Sequence, residues 1–138
     1  DLPEVQAVMV APQSLAALAP ANVLVRDYVP QLQLLDHVDG VICHAGHNTV
    51  CEALTRNLPL IVAPIRDDQP VIARQVIDAG AALFMRHGKV TPATAGKTIE
   101  TLLATVEKVT TFDVKGGPVD WVDLAYRMPD GGLVYVPE

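Results

Sequence analysis

The stretch that decides the fold runs from residue 38 to residue 63 and reads VDGVICHAGHNTVCEALTRNLPLIVA. Val38–Cys43 is short and mainly apolar, which is typical of a strand. Leu60–Ala63 is apolar throughout, as expected for a strand of a parallel sheet that is buried on both faces. Asn48–Arg56, between them, has the apolar spacing of a helix. These elements predict a βαβ unit with a tight loop after its first strand.

The flanking sequence repeats this alternation. Further strands are predicted over Val5–Val10, Asn22–Val29 and Ala81–Met85, and further helices over Ser14–Ala19, Gln31–Leu35, Gln69–Ala79 and Pro92–Val106. Ser14, Asp68 and Thr91 are expected to cap helices, Pro30 to occupy a first helical position, and Asn57 and Gly80 to end helices. The sequence therefore predicts an α/β fold, a Rossmann-like three-layer domain with a mostly parallel sheet.

The end of the chain, from residue 110 to residue 138, breaks the alternation. Pro129–Gly132 is a turn signal before Leu133–Val136, which predicts a strand or a hairpin there. The aromatic residues Trp121, Tyr126 and Tyr135 are expected to serve local packing.

Composition excludes several classes of function. The chain has 138 residues, half of them hydrophobic, and a net charge of −6. This charge argues against a general nucleic-acid binder, which needs a basic face. No run of apolar residues is long enough for a transmembrane helix. The first residues do not resemble a signal peptide, and two cysteines make no disulfide framework, so a cytoplasmic protein is expected.

The loop after the third strand is the candidate site, because ligands of open parallel sheets bind at the carboxyl ends of strands. Gly46 permits close backbone approach or a positive φ, and the following helix amides favour an anion. His44, Asn48 and Thr49 add donors, and Glu52 is an acceptor one turn further on. The simpler alternative is that Asn48 only caps the helix and Gly46 only serves a turn.

The sequence gives less support to a metal site, a nucleotide-binding loop of another type or a serine nucleophile. Cys43, His44, His47 and Cys51 could form a metal site, but Cys43 should point away from His44, and Cys51 should face the core. No metal is therefore expected. The sequence contains neither a Walker loop nor a G-x-G-x-x-G fingerprint. Ser14 is the single serine, in a poor context for a nucleophile.

Three segments in fixed order carry a resemblance to a known family: Tyr28–Gln31, Cys43–Glu52 and Pro64–Gln69. Together they resemble the donor-binding signature of nucleotide-sugar glycosyltransferases of the GT-B fold, which include plant, animal and bacterial natural-product enzymes. The resemblance extends from about residue 5 to residue 106 and implies a glycosyltransferase that binds a UDP-sugar or dTDP-sugar and transfers it with inversion to a hydroxyl of a small-molecule acceptor. No metal or other cofactor is implied.

The resemblance also implies roles for individual residues. Tyr28 resembles the aromatic platform for the base, Val29 the residue whose backbone pairs with the base edge, and Gln31 a neighbour of the nucleoside. The diphosphate-binding residues would be His44, Gly46, Asn48 and Thr49. Glu52 resembles the acid that holds the ribose hydroxyls, and Asp68 and Gln69 the pair that binds the transferred sugar.

The sequence differs from the family pattern outside these three motifs. Residues 1–108 are interpreted as a donor-binding domain without its Gly-rich first strand and loop, and residues 109–138 as an unassigned extension. The acceptor-binding domain, which carries the general base in this family, is expected in another part of a longer protein or in a partner chain. No catalytic residue is therefore assigned, and the isolated chain is expected to be inactive. The alternatives are a non-catalytic binding subunit of a two-chain glycosyltransferase and a related nucleotide-sugar epimerase.

Overall fold

The computed structural model of the chain describes residues 5–104 and 133–136. The strands are β1 (Gln6–Val10), β2 (Val23–Arg26), β3 (Gly40–Cys43), β4 (Leu60–Val62), β5 (Ala82–Phe84) and β6 (Leu133–Val136). The helices are α1 (Gln31–Leu35), α2 (His47–Leu54), α3 (Gln69–Asp78) and α4 (Pro92–Ala104), with a 3₁₀ helix over Gln13–Leu18.

The strands form one six-stranded sheet in the order β2-β1-β6-β3-β4-β5. Each neighbouring pair is parallel. The α/β fold with a mostly parallel sheet is therefore confirmed.

β6 lies in the middle of the sheet. Val134 pairs with Ala7 of β1 and Gly40 of β3, and Tyr135 pairs with Val8 and Val41. The strand predicted over Leu133–Val136 is confirmed, but the hairpin alternative is wrong because both of its partners run parallel to it. In the common doubly wound order 3-2-1-4-5-6, β6 holds the place of the first strand, and β1 to β5 follow as the second to the sixth. Residues 133–136 thus fill the place of the first strand in that order.

Alternation along the strands sends side chains to two faces. One face carries a cluster of buried side chains, to which Val41, Leu60 and Tyr135 contribute from the sheet. Side chains of α1, α2 and α3 complete this cluster: Leu34, Leu35, Val50, Ala53, Ala73 and Val76. β4 is fully buried on both faces, with Leu60, Ile61 and Val62 each at 0% exposure, as its sequence predicts.

The opposite face is covered by α4, so the domain has three layers. Leu102 of α4 is 2% exposed and packs on β3 at Gly40. A Cβ atom on Gly40 would lie 2.7 Å from Leu102 Cδ2. Gly40 therefore leaves the space in which the Leu102 side chain packs against the strand.

Most of the predicted helix ends are confirmed. Asn57 follows α2 at φ 55°, and Gly80 follows α3 at φ 77°, both in the left-handed region that ends helices. At the start of α4 the Thr94 amide donates to Thr91 Oγ1 at 3.2 Å, which is the expected cap.

Three expectations about helix N-termini are wrong, although α1 and α3 begin at Gln31 and Gln69 as predicted. Pro12, not Ser14, holds the N-cap position of the first helix, which is 3₁₀ and has no side-chain cap. The turn closes one residue earlier than predicted, because the Leu15 amide bonds the Pro12 carbonyl at 2.9 Å. Pro30 lies at the N-cap of α1 rather than inside it. Asp68 holds the N-cap position of α3, but its side chain makes no capping bond because its backbone is already helical.

We expect Leu102→Ala to lower the free energy of unfolding by about 2–5 kcal/mol, since it leaves a cavity beside Gly40 that neighbouring backbone cannot fill. Urea unfolding followed by circular dichroism measures the change. Leu32, which is 54% exposed, is the matched control, and Leu32→Ala should change stability by no more than about 0.5 kcal/mol. Equal effects of the two substitutions would contradict the packing of α4 on β3.

Candidate functional site

The predicted site residues lie at one edge of the sheet. Since the strands are parallel, their carboxyl ends meet there. Tyr28 follows β2, His44 follows β3 and Asp68 follows β4. The strand order places the ends of β1 and β6 between those of β2 and β3.

The loop from β3 to α2 has its left-handed residue at Ala45, not at Gly46. Ala45 has φ 70° and is fully buried, whereas Gly46 has φ −64°. The expectation that Gly46 supplies a positive φ is wrong. An alanine in this region is uncommon and carries a cost of about 1–2 kcal/mol, which the burial of its methyl group partly offsets.

Gly46 has a different role, which is to make room for the His44 side chain. A Cβ atom at this position would lie 2.9 Å from His44 Nε2, so the imidazole rests directly over the glycine. Any other residue would displace the His44 ring. The close approach at Gly46 is thus made by the His44 ring, and approach of the backbone to a ligand stays a prediction.

The N-terminus of α2 is open. The N-cap is Gly46, and no side chain caps the helix, so the simpler interpretation of Asn48 as a cap is wrong. The first-turn amides of an α-helix have no partner within the helix, and the helix dipole makes this end attractive to anions. Within residues 5–104 and 133–136, neither the His44 ring nor the Asn48 amide group makes a hydrogen bond. This arrangement can accept an anion through backbone and side-chain donors together.

A polar network lies beside this helix end and joins three elements. Gln31 Nε2, at the start of α1, donates to Glu52 Oε2 at 2.5 Å and approaches Thr49 Oγ1 at 3.4 Å. The Tyr135 hydroxyl of β6 donates to Gln31 Oε1 at 3.0 Å. Burial raises the pKa of Tyr135 to about 12, and the negative charge of Glu52 adds to the shift. The hydroxyl is therefore protonated and able to donate at neutral pH.

A cleft of about 240 Å³ opens above this network. It is lined by Val10, Asp27, Tyr28, Val29, Gln31, Thr49 and Tyr135. The Tyr28 ring is 72% exposed, whereas Val29 beside it is 6% exposed. A flat aromatic ring at the rim and hydrogen-bonding groups within are suited to a planar ligand with polar substituents.

The loop from β4 to α3 stands apart from the cleft. Gln69 Oε1 accepts from the backbone amides of Ile65 and Arg66, at 2.9 and 3.0 Å, so the side chain closes its own loop. Asp67 has φ 59° and lies 3.6 Å from Arg66 Nε, and Asp68 is exposed. Neither Asp68 nor Gln69 lines the cleft.

Comparison with known proteins places this geometry in a family. Residues 4–111 match the family model described as erythromycin biosynthesis protein CIII-like, C-terminal domain. The chain belongs to this family. It is therefore a glycosyltransferase C-terminal domain with the α/β arrangement of GT-B enzymes.

Individual relatives agree with the family model. An NDP-glycosyltransferase of Bacillus subtilis, YjiC, is 33% identical over 89 residues, which are 64% of this chain and 22% of that protein. The demethyllactenocin mycarosyltransferase of Streptomyces fradiae is 35% identical over 72 residues, 52% of this chain and 16% of that protein. The structure of the calicheamicin glycosyltransferase CalG4 matches with a TM-score of 0.63 at 26% identity and covers 71% of this chain and 27% of that one. The chain spans about a fifth of the length of the curated relatives it matches.

The sequence did not indicate that Tyr135 lines the cleft. The predicted packing role of Tyr135 is confirmed, since its ring lies in the buried cluster, but its hydroxyl also bonds Gln31 across 104 positions of the chain. The strand signal at Leu133–Val136 was readable. Its place beside β1 and β3 was not, because no local pattern specifies which strands pair.

One of the two cysteines is placed differently from expectation. Cys51 is exposed, with its Sγ 3.7 Å from His47 Nε2, so the prediction that it faces the core is wrong. Cys43 is buried, and desolvation raises the pKa of its thiol. In the part of the chain that the structure describes, no three His, Cys, Asp or Glu residues are grouped to hold a metal. The helices described there are also too short or too polar to cross a membrane.

The conformation of Ala45 can be tested by comparison with Ala53, since both are fully buried. Ala53 lies inside α2 with ordinary helical geometry, so Ala53→Gly should lower the free energy of unfolding by about 2 kcal/mol. Ala45→Gly should cost about 1–2 kcal/mol less than this, since glycine relieves the left-handed strain. Urea unfolding of both variants measures the difference, and equal losses would contradict the strain at Ala45.

Proposed function

We propose that this domain binds the nucleoside-diphosphate sugar donor of a glycosyltransferase, with the diphosphate at the start of α2 and the nucleoside in the adjacent cleft. The observation that carries the proposal is the junction of an uncapped helix N-terminus with the Gln31–Glu52 network at the carboxyl edge of the sheet. Membership of a glycosyltransferase family supports it.

The diphosphate subsite needs donors and excess positive potential, and α2 supplies both through its first-turn amides and its dipole. His44, Asn48 and Thr49 add side-chain donors, and Gly46 gives the His44 ring its position. Hydrogen bonds to a charged group contribute about 1.5–3 kcal/mol each. These donors also stabilise the diphosphate as a leaving group, so we propose that transfer needs no metal ion.

The nucleoside subsite is the cleft. The exposed ring of Tyr28 offers a stacking surface for the base, and Val29 offers its backbone to the base edge. Glu52 is partly buried and does not line the cleft, but Gln31, which does, donates to it, and we propose that it accepts hydrogen bonds from ribose hydroxyls beside the cleft. A neutral polyol needs such acceptors, whereas a phosphate would be repelled by the carboxylate.

Asp68 and Gln69 are proposed to bind the transferred sugar from the neighbouring loop. The exposed Asp68 carboxylate can accept from sugar hydroxyls. Gln69 keeps its Nε2 for this role, because the loop amides use Oε1 alone. Gln69 thus shapes the loop through Oε1 and donates a hydrogen bond to the sugar through Nε2.

The complete reaction is proposed to be inverting transfer of the sugar to a hydroxyl of a small molecule. The acceptor oxygen forms a bond to the anomeric carbon, the bond from that carbon to the diphosphate breaks, and the hydroxyl proton passes to a general base outside this domain. The relatives named above as glycosyltransferases, one of them for a demethyllactenocin acceptor, support this class of reaction. UDP-sugars and dTDP-sugars are the proposed donors.

Calorimetric titration of the 138-residue chain with UDP, dTDP, GDP and UDP-glucose tests the diphosphate subsite. We expect saturable binding of the pyrimidine nucleotides. His44→Ala and Asn48→Ala should each weaken it by about tenfold or more, because each removes a donor to a charged group. His87→Ala, at an exposed position after the edge strand β5 that does not line the cleft, is the control and should leave affinity unchanged. Unaltered binding in both site variants would contradict the proposal.

Tyr28 can be tested separately from the diphosphate. Tyr28→Ala should weaken binding of uridine as well as of UDP by about fivefold or more, because stacking on an aromatic ring contributes about 1–3 kcal/mol per base. Tyr28→Phe keeps the ring and should retain the affinity. A loss confined to UDP-glucose would show that Tyr28 does not contact the base.

A further inference from the structure

The turn after β5 carries two basic side chains that have no acidic partner in the described part of the chain. Arg86 and Lys89 are both exposed, and within residues 5–104 and 133–136 the side chain of neither forms an ion pair or a hydrogen bond. The arginines Arg56, Arg66 and Arg74, in contrast, each contact an aspartate. The chain as a whole has a net charge of −6, so this turn differs from its surroundings in charge. Its positive charge is available to an anionic group of a ligand.

The backbone of the turn holds these two residues close together. The amides of Lys89 and Val90 both donate to the Arg86 carbonyl at 3.1 Å, and Gly88 lies in the left-handed region at φ 77°. The first and fourth Cα atoms of such a turn lie within about 7 Å of each other. A Cβ atom on Gly88 would meet no atom within 4 Å, so the turn projects into solvent. Two like charges this close repel each other, and an anion bound to both relieves the repulsion.

The turn lies next to the loop that is proposed to bind the transferred sugar. β4 and β5 are parallel neighbours, and the Met85 amide donates to the Val62 carbonyl at 2.9 Å, so the two strands end at the same level. Adjacent strands are about 4.8 Å apart, a distance that a single sugar ring spans. Along the carboxyl edge, the diphosphate subsite after β3 is thus followed by the sugar loop after β4 and by the basic turn after β5. The turn is placed to meet the side of the sugar that points away from the diphosphate.

We infer that the sugar of the donor carries a carboxylate and that Arg86 and Lys89 bind this group, so that the donor class is a nucleoside-diphosphate uronate. The inference rests on the proposed function, because it requires the transferred sugar beside β4. A uronate that met only Asp67 and Asp68 of the neighbouring loop would be repelled by their charges. The basic turn offsets this repulsion, and the Asp68 carboxylate remains the acceptor for the sugar hydroxyls.

Titration of the full chain with UDP, UDP-glucose and UDP-glucuronate tests the inference. The two sugar nucleotides differ only at C6 of the sugar, where glucuronate has a carboxylate in place of a hydroxymethyl group. We expect UDP-glucuronate to bind about threefold to tenfold more tightly than UDP-glucose, the effect of two exposed charge pairs. High salt should bring the ratio of the two affinities towards one, because exposed charges are screened.

Substitutions in the turn should lower the same ratio. Lys89→Gln should lower it by about twofold or more, and the combination of Arg86→Gln with Lys89→Gln should bring it to about one or below. Lys97 supplies the matched control, since it is exposed on α4 and its side chain also makes no ion pair in the described residues. Lys97→Gln removes the same charge from the chain and should preserve the ratio.

The outcomes separate the inference from the proposed function. If the chain binds UDP and UDP-glucose but binds UDP-glucuronate no more tightly, the inference is overturned and the proposed function stands. A fall in the ratio that is as large in Lys97→Gln as in Lys89→Gln overturns the inference as well, because net charge alone then explains the preference. If the unaltered chain binds none of the three ligands, the proposed function fails and the inference fails with it.

Discussion

Between β1 and β3 the sheet contains β6, and its backbone pairs with both neighbours in parallel register. Without this strand, the facing edges of β1 and β3 would carry unpaired amides and carbonyls in the centre of the sheet, where unsatisfied backbone groups are costly. The cluster around Val41 and Leu60 would also lose the Tyr135 ring. Both halves of the sheet, and the cleft between them, therefore depend on four residues distant in sequence from the rest of the domain.

The same strand joins the core to the candidate site. Parallel pairing beside Val8 and Val41 sends the Tyr135 side chain to the face covered by α1 and α2. The phenol then reaches Gln31, and through Gln31 the network extends to Glu52. The polar groups of the cleft are consequently held by buried packing, which gives them fixed positions before any ligand arrives.

In the loop after β3, the backbone geometry determines where the His44 ring lies. Ala45 takes a left-handed conformation, and Gly46 leaves room for the His44 ring. The two residues bring the imidazole beside an uncapped helix end, where donors without partners are concentrated. Strain at one residue and the absence of a Cβ atom at the next are both consistent with a loop shaped for a ligand rather than for stability.

The sequence by itself determined the elements and the motifs. The apolar run Leu60–Val62 and the turn glycine Gly80 are local signals, so the parallel α/β fold and the segments from Tyr28 to Gln69 could be read without a structure. Only the tertiary structure decided where β6 pairs, that Ala45 carries the positive φ, that Cys51 is exposed and that Tyr135 bonds Gln31. Each of these features depends on which distant segments come together. The pairing of strands across the sheet follows from the burial and backbone hydrogen bonding of the whole chain, and a short stretch of sequence does not contain that information.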